Sequence, residues 1–99
     1  AYADDMVLAE GLARYEEMVT TPVTRVESNW AGLRSFSPDG ALVLGPDPEQ
    51  PDFIWCAAQG GYGFQTAPAA SRLLADILGG HSSELDADSR AALSPERLR

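Results

Sequence analysis

A continuous apolar run, Phe53-Ile54-Trp55-Cys56-Ala57-Ala58, passes directly into Gln59-Gly60-Gly61-Tyr62-Gly63 and from there into a helical pattern. Few arrangements accept that order. Apolar residues without alternation, bounded by turn signals, predict a strand buried on both faces, as in a parallel sheet covered by helices. The cluster Gly60, Gly61 and Gly63 ends the run in a backbone that needs freedom from β-carbons. Pro68 to Leu78 then predicts a helix, with Pro68 in its first turn and Thr66 or Ala67 at the cap. Leu73, Leu74, Ile77 and Leu78 point inward in that pattern, and Gly79-Gly80 stops it.

The elements before this unit follow from similar local rules. Leu8, Leu12, Tyr15 and Val19 form one apolar stripe, so Asp4 to Val19 is expected to be helical, with Asp4 or Asp5 as its cap. Gly11 inside it costs about 1 kcal/mol relative to alanine. Thr20-Thr21-Pro22 ends the helix. Thr24-Arg25-Val26-Glu27 alternates as a strand does, and Trp30 to Phe36 is extended around Gly32. Ser37-Pro38-Asp39-Gly40 predicts a turn, since proline presets φ at its second position and glycine takes positive φ. Ala41-Leu42-Val43-Leu44 is then a short strand closed by Gly45-Pro46, and Asp47 to Asp52 is a polar, proline-rich loop. His81 to Arg99 reads as a polar, loose tail with a last turn beginning at Ser94-Pro95-Glu96. The fold class is α+β.

Size and charge restrict what such a chain does alone. Ninety-nine residues make one domain and are too few for a dinucleotide-binding half plus a substrate half. A net charge of −8, with no lysine among the basic residues, disfavours nucleic acid and anionic membranes as partners. No apolar run is long enough to span a bilayer. Cys56 has no second cysteine to pair with, which suits a reducing compartment, and a cytoplasmic location is expected.

Two features carry chemistry. A glycine turn opening a helix presents unpaired N–H groups and the positive end of the helix dipole, so an electron-rich planar or anionic group has room over Gly60 to Thr66. Strand–glycine–helix turns also arise for structural reasons alone, and both readings stay open on these residues. The turn matches neither a phosphate loop nor the G-x-G-x-x-G dinucleotide spacing. The second feature is Arg34, between apolar residues. It is an exposed or internally paired arginine, or else a bidentate clamp for a carboxylate, which the planar guanidinium suits. Cys56, Trp30, Trp55, Phe36 and Phe53 read as core, and His81 as an exposed cap. Tyr62 either faces a ligand or packs. No paired carboxylates, metal-spaced His/Cys set or nucleophile elbow occurs, so neither a catalytic acid–base residue nor a metal site is assigned.

The run from Trp30 through Leu78 (WAGLRSFSPDGALVLGPDP, then FIWCAAQGGYGFQTAPAASRLLADIL) resembles the C-terminal signature of the glycine and D-amino acid oxidase family of FAD-dependent enzymes. The resemblance extends over about residues 4–99, and "WAGLRSF", "AAQGGYG" and the closing "SPERLR" are similar to D-arginine dehydrogenase-type members. The resemblance implies that Arg34 binds the substrate α-carboxylate, with Gly61 and Tyr62 beside it. It also implies that Gly60, Gly61, Tyr62, Gly63, Phe64, Gln65 and Thr66 line noncovalently bound FAD. A second carboxylate-binding arginine, which some relatives carry near the position of Gly61, is missing.

The family's fold places a G-x-G-x-x-G loop near its N-terminus, and these 99 residues contain none. The chain is therefore expected to be a C-terminal fragment whose parent oxidises a D-amino acid or similar small amine carboxylate. Residues 1–44 would belong to the substrate-binding domain, 45–80 to the last strand–turn–helix of the FAD-binding domain, and 81–99 to a tail. Its partners would be a small amino acid substrate and the remainder of the enzyme. Alone it is expected to hold little FAD, to be inactive and to self-associate through exposed apolar faces. The alternative is a noncatalytic structural or interaction domain.

Overall fold

Asp4 opens the first helix as its carboxylate charge requires. Its Oδ1 accepts from the backbone N–H groups of Met6 and Val7 at 2.9 and 3.0 Å, satisfying two donors that a helix start leaves unpaired. A computed structural model describes residues 1–99 and divides them into two compact units, 1–33 and 34–99.

In the first unit, helix α1 spans Asp5–Met18, close to the expected range, and Val19 is already extended. None of its residues is buried; Leu8 and Leu12 of the apolar stripe are half-buried, while Tyr15 and Val19 are exposed. The strand expected at Thr24–Glu27 does not form. A strand needs a partner for its N–H and C=O groups, and none lies alongside. Arg25 and Glu27 instead pair across 3.5 Å on the surface. Trp30 and Leu33, one of them expected in the core, are exposed.

In the second unit, the Ser37–Gly40 turn forms as expected: Gly40 donates to the Ser37 carbonyl at 3.0 Å and adopts φ +77°. Strand β1 runs Val43–Pro46, two residues later than anticipated. Strand β2 runs Ile54–Ala57 and pairs with β1 antiparallel, with Val43 opposite Ala57 and Leu44 opposite Cys56. The parallel, doubly covered strand expected at Phe53–Ala58 is thus corrected. The short Asp47–Phe53 connection closes a hairpin, whereas a parallel neighbour needs a crossover of about a dozen residues. As one strand of a two-stranded sheet, β2 has no further layer over it, so Cys56 and Trp55 are exposed and not core. Phe36 and Phe53 are exposed as well; Phe53 meets Trp55 edge to face at 5.0 Å.

Helix α2 spans Gly63–Gly79 and starts one turn before the proline. Thr66 already donates to the Tyr62 carbonyl at 3.0 Å, so Pro68 lies inside the helix, and the Phe64 carbonyl lacks its usual amide partner. Gly80, in the left-handed conformation, ends it as the glycine pair foretold, and His81 N–H closes on the Asp76 carbonyl at 2.8 Å. His81 is exposed, as anticipated.

The core joins β1 to α2. Leu42, Leu44 (3% exposed) and Leu73 (2% exposed) form its centre, with Ala70, Leu74 and Ile77 of α2 beside Leu85 and Leu93. Leu78, expected inward, is exposed. The tail is not loose. Asp86 caps helix α3, Ala87–Leu93, by accepting from Ser89 N–H at 2.7 Å. Ser94 then caps a 3-10 turn over Pro95–Leu98, which begins at the anticipated Ser-Pro-Glu and buries Pro95. Leu85 and Leu93 give this segment the apolar contacts that hold it to β1.

So small a core leaves little reserve. Leu73→Ala is expected to cost about 2–5 kcal/mol, enough to broaden or abolish the cooperative thermal transition followed by circular dichroism. An unchanged melt would place the stabilising core elsewhere.

Candidate functional site

The residues between β2 and α2 form a tight arch. Ala58 leaves the strand at φ +60°, the one non-glycine residue with positive φ, and Gly60 follows at φ +55°. Tyr62 N–H bonds to the Gln59 carbonyl at 3.0 Å, and Tyr62 itself is the N-terminal cap of α2. Gly60 is buried. A β-carbon there would stand 2.6 Å from Cε1 of Phe36, so this glycine makes room for an aromatic ring of the same chain. Gly61 differs: a β-carbon would meet nothing within 4 Å. Gly63 opens the helix, and a β-carbon there would press on Gln59 Cβ at 3.1 Å. Phe64 is fully exposed, and Tyr62 and Gln65 are exposed too. Thr66 is half-buried and turns its hydroxyl back to the Tyr62 carbonyl at 2.8 Å.

The start of α2 is unlike the other two α-helices. Asp4 and Asp86 cap α1 and α3 with side chains, whereas α2 has no side-chain cap. The amides of Gly63, Phe64 and Gln65 therefore point outward with the positive end of the dipole behind them.

Arg34 is exposed and makes no ion pair, so the internally paired reading does not hold. The next residue ties its segment to the arch: the Ser35 carbonyl accepts the Gly60 N–H at 3.0 Å. With Phe36 laid against Gly60, one hydrogen bond and one ring contact join two segments separated by 25 positions. The sequence pattern predicts a core position for Phe36, whereas its ring lies exposed against Gly60.

Arg97 is the other residue sequence reasoning missed. Its Nε donates to Asp39 Oδ2 at 2.6 Å, and Nη2 reaches Asp39 Oδ1 and the Ala41 carbonyl, both at 3.0 Å. Nη1 donates to the Ser94 carbonyl at 3.0 Å. The Arg97 fork, then the Ser37 hydroxyl, holds the Asp39 carboxyl well below the usual carboxylate range, and Asp39 raises Arg97 in turn. Asp47 is lowered mainly by the Trp55 indole N–H at 2.9 Å, then by the amides of Glu49 and Gln50.

A groove of about 390 Å³ runs past Phe36, Val43, Trp55, Ala57 and Ala58, so it borders the arch at its first residue, while none of Gln59–Thr66 lines it. No three His, Cys, Asp or Glu side chains cluster as metal ligands would. No helix is long and apolar enough to cross a membrane.

The profile of the DAO family, FAD dependent oxidoreductases, matches residues 3–77. The chain belongs to that family. A D-amino acid dehydrogenase of Rhizobium johnstonii is 37% identical over 60 residues, covering 61% of this chain and 14% of the relative. A glycine oxidase of Pseudomonas aeruginosa is 43% identical over 61 residues, covering 60% of this chain and 16% of the relative. A D-amino acid dehydrogenase of Xanthobacter autotrophicus is 33% identical over 57 residues, 58% of this chain and 13% of its own length. The matched stretch of this DAO-family chain thus spans about one-seventh of the length of these relatives.

Two outcomes follow. Gly60→Ala combines a left-handed backbone with the Phe36 clash and is expected to destabilise the unit by about 1–3 kcal/mol, whereas Gly61→Ala leaves the urea midpoint nearly unchanged. Equal effects would mean the two glycines serve alike. Because the folded Asp39 pKa lies below its unfolded value, this carboxylate adds stability at neutral pH and loses it as pH falls below about 4. Urea midpoints should therefore drop between pH 7 and pH 3, and Asp39→Asn should flatten that slope.

Proposed function

We propose that this chain supplies the carboxylate-binding arginine and the flavin-facing arch of an FAD-dependent enzyme. That enzyme oxidises a D-amino acid, or a similar small amine carboxylate, to an imino acid that hydrolyses to a keto acid and ammonia. The observation that carries this reading is the bond from Gly60 N–H to the Ser35 carbonyl, which brings the Arg34 segment against an arch that opens an uncapped helix. A purely structural reading accounts for Gly60, whose missing side chain accommodates Phe36. It does not account for Gly61, where a side chain would meet open space.

The residues present fit FAD at the arch. Gly61 leaves the backbone bare toward a flat ring, and the amides of Gly63, Phe64 and Gln65 have no acceptor within the chain. Gly60 and Tyr62 hold the arch in shape, and Thr66 fixes its far end through the Tyr62 carbonyl. Bound FAD would supply the acceptor for hydride leaving the substrate α-carbon. The free amides at the start of α2 would donate to the negative charge that grows on the ring as hydride arrives, and fixed dipoles do so without reorganising. Arg34, with no internal carboxylate to satisfy it, would take the substrate carboxylate in a bidentate grip and set the α-carbon over the ring.

The small share of the relatives' length matched here supports a division of labour in which the ADP-binding fingerprint and most pocket walls come from outside these residues. Residues 1–44 would then belong to the substrate-binding side and 45–80 to the FAD-binding side.

In the complete flavoenzyme, Arg34→Ala is expected to lower kcat/KM for the amino acid roughly a hundredfold, with flavin content intact. Arg34→Lys should recover only a small part, because an ammonium cannot form the fork. Unchanged kinetics in Arg34→Ala would remove the arginine from substrate binding. Gly61→Leu should reduce flavin absorbance per protein, and full occupancy in that variant would count against the arch as the flavin contact.

A further inference from the structure

Arg97 spends all three guanidinium nitrogens on one short stretch of chain and one carbonyl of its own turn. Nε and Nη2 grip both oxygens of Asp39, Nη2 also holds the Ala41 carbonyl, and Nη1 returns to Ser94. Ser37, within reach of Nη2 at 3.5 Å, donates its hydroxyl to Asp39 at 2.7 Å. The Arg97 side chain is largely buried, at 14% exposure, while Asp39 is half-exposed. The fork therefore fixes the Ser37–Ala41 turn from both its ends, across 58 positions of sequence.

That turn lies immediately after the segment that matters for the arch. Ser37 is followed back by Phe36, whose ring fills the space before Gly60, and by Ser35, whose carbonyl takes the Gly60 amide. Arg34 comes next and has no ion pair to fix its own position. A three-residue segment anchored at only one end would pivot about the Gly60 bond. Clamping the turn at its other end removes that freedom.

We infer that Arg97, from the C-terminal 3-10 turn, is a positioning residue that fixes the Arg34–Phe36 segment against the glycine arch by clamping the Ser37–Ala41 turn. It touches neither substrate nor cofactor. The clamp itself stands on geometry within this chain; its consequence for substrate binding rests on the proposed role of Arg34. The C-terminal turn is thereby part of the site's framework, although it lies beyond the residues that the family profile matches.

The decisive measurement is amide exchange of Gly60 by NMR in the 99-residue chain. Arg97→Ala should accelerate exchange at Gly60 roughly tenfold or more, the order set by losing charge-assisted hydrogen bonds, while amides in the middle of α2 keep their protection. Arg97→Lys, which retains charge without the fork, should fall between. Acceleration confined to Ser94–Arg99, with Gly60 unchanged, would overturn the inference, since the arginine would then pin only its own turn. Asp39→Asn removes the charged partner without touching the tail and should reproduce the Gly60 effect. If both variants unfold globally, the pair holds the whole unit together and the positioning role is wrong.

In the complete flavoenzyme, Arg97→Ala should raise KM about tenfold with kcat within about twofold and flavin content unchanged. Arg34→Ala is the control. No effect of Arg34→Ala refutes the carboxylate role while leaving the Gly60 exchange result to decide the clamp; an effect of Arg34→Ala with none from Arg97→Ala refutes the clamp's functional consequence alone.

Discussion

The second unit is organised around one short contact, the Gly60 amide donating to the Ser35 carbonyl with the Phe36 ring laid over the bare α-carbon. Everything of chemical interest borders it. Upstream lies Arg34, unpaired; downstream lies the arch and the uncapped start of α2; behind it, β1 and α2 pack through Leu42, Leu44 and Leu73. The contact tolerates no side chain on one partner and uses a large one on the other. Such a pairing is intolerant of change on either side, because a β-carbon at Gly60 displaces the ring and loss of the ring leaves a void against the arch.

Local chemistry made much of this legible. Asp4 as a cap, the Pro-Asp-Gly turn, the Gly79-Gly80 stop and the Ser94-Pro95 start each depend on a few neighbouring residues, and each is where the side chains place it. The errors arose where an element's state depends on what lies across from it. Phe53–Ala58 has the composition of a doubly covered strand, yet a two-stranded antiparallel sheet leaves Trp55 and Cys56 uncovered. Thr24–Glu27 alternates correctly and still has no partner. Of the candidate site, the glycines and Arg34 could be picked out by residue type, but not the division of labour between Gly60 and Gly61, which only the position of Phe36 reveals. Arg97 stands inside the quoted closing segment, but nothing there names its partner, which is 58 positions away.

Family membership and physical layout meet at unequal depth. The match to DAO-family enzymes covers residues 3–77 and places the chain among FAD-dependent oxidoreductases. The second unit adds how the matched residues are held: an aromatic wedge, a free helix start and a tail folded back by two side-chain caps, Asp86 and Ser94. The exposed rings of Phe36, Phe53 and Phe64 form no part of the core around Leu44 and Leu73. They are apolar surface left open to solvent.

The Asp47 carboxylate bridges the loop amides of Glu49 and Gln50 to the indole of Trp55, so that one side chain joins the hairpin's bend to its second strand. Opening that bend would break the indole's hydrogen bond and change its surroundings. Trp30 is the other tryptophan of the chain, and it is solvated at 83% exposure in the other unit. A chain carrying phenylalanine at position 30 keeps one tryptophan, seated on the hairpin, whose emission can follow its opening without an attached dye.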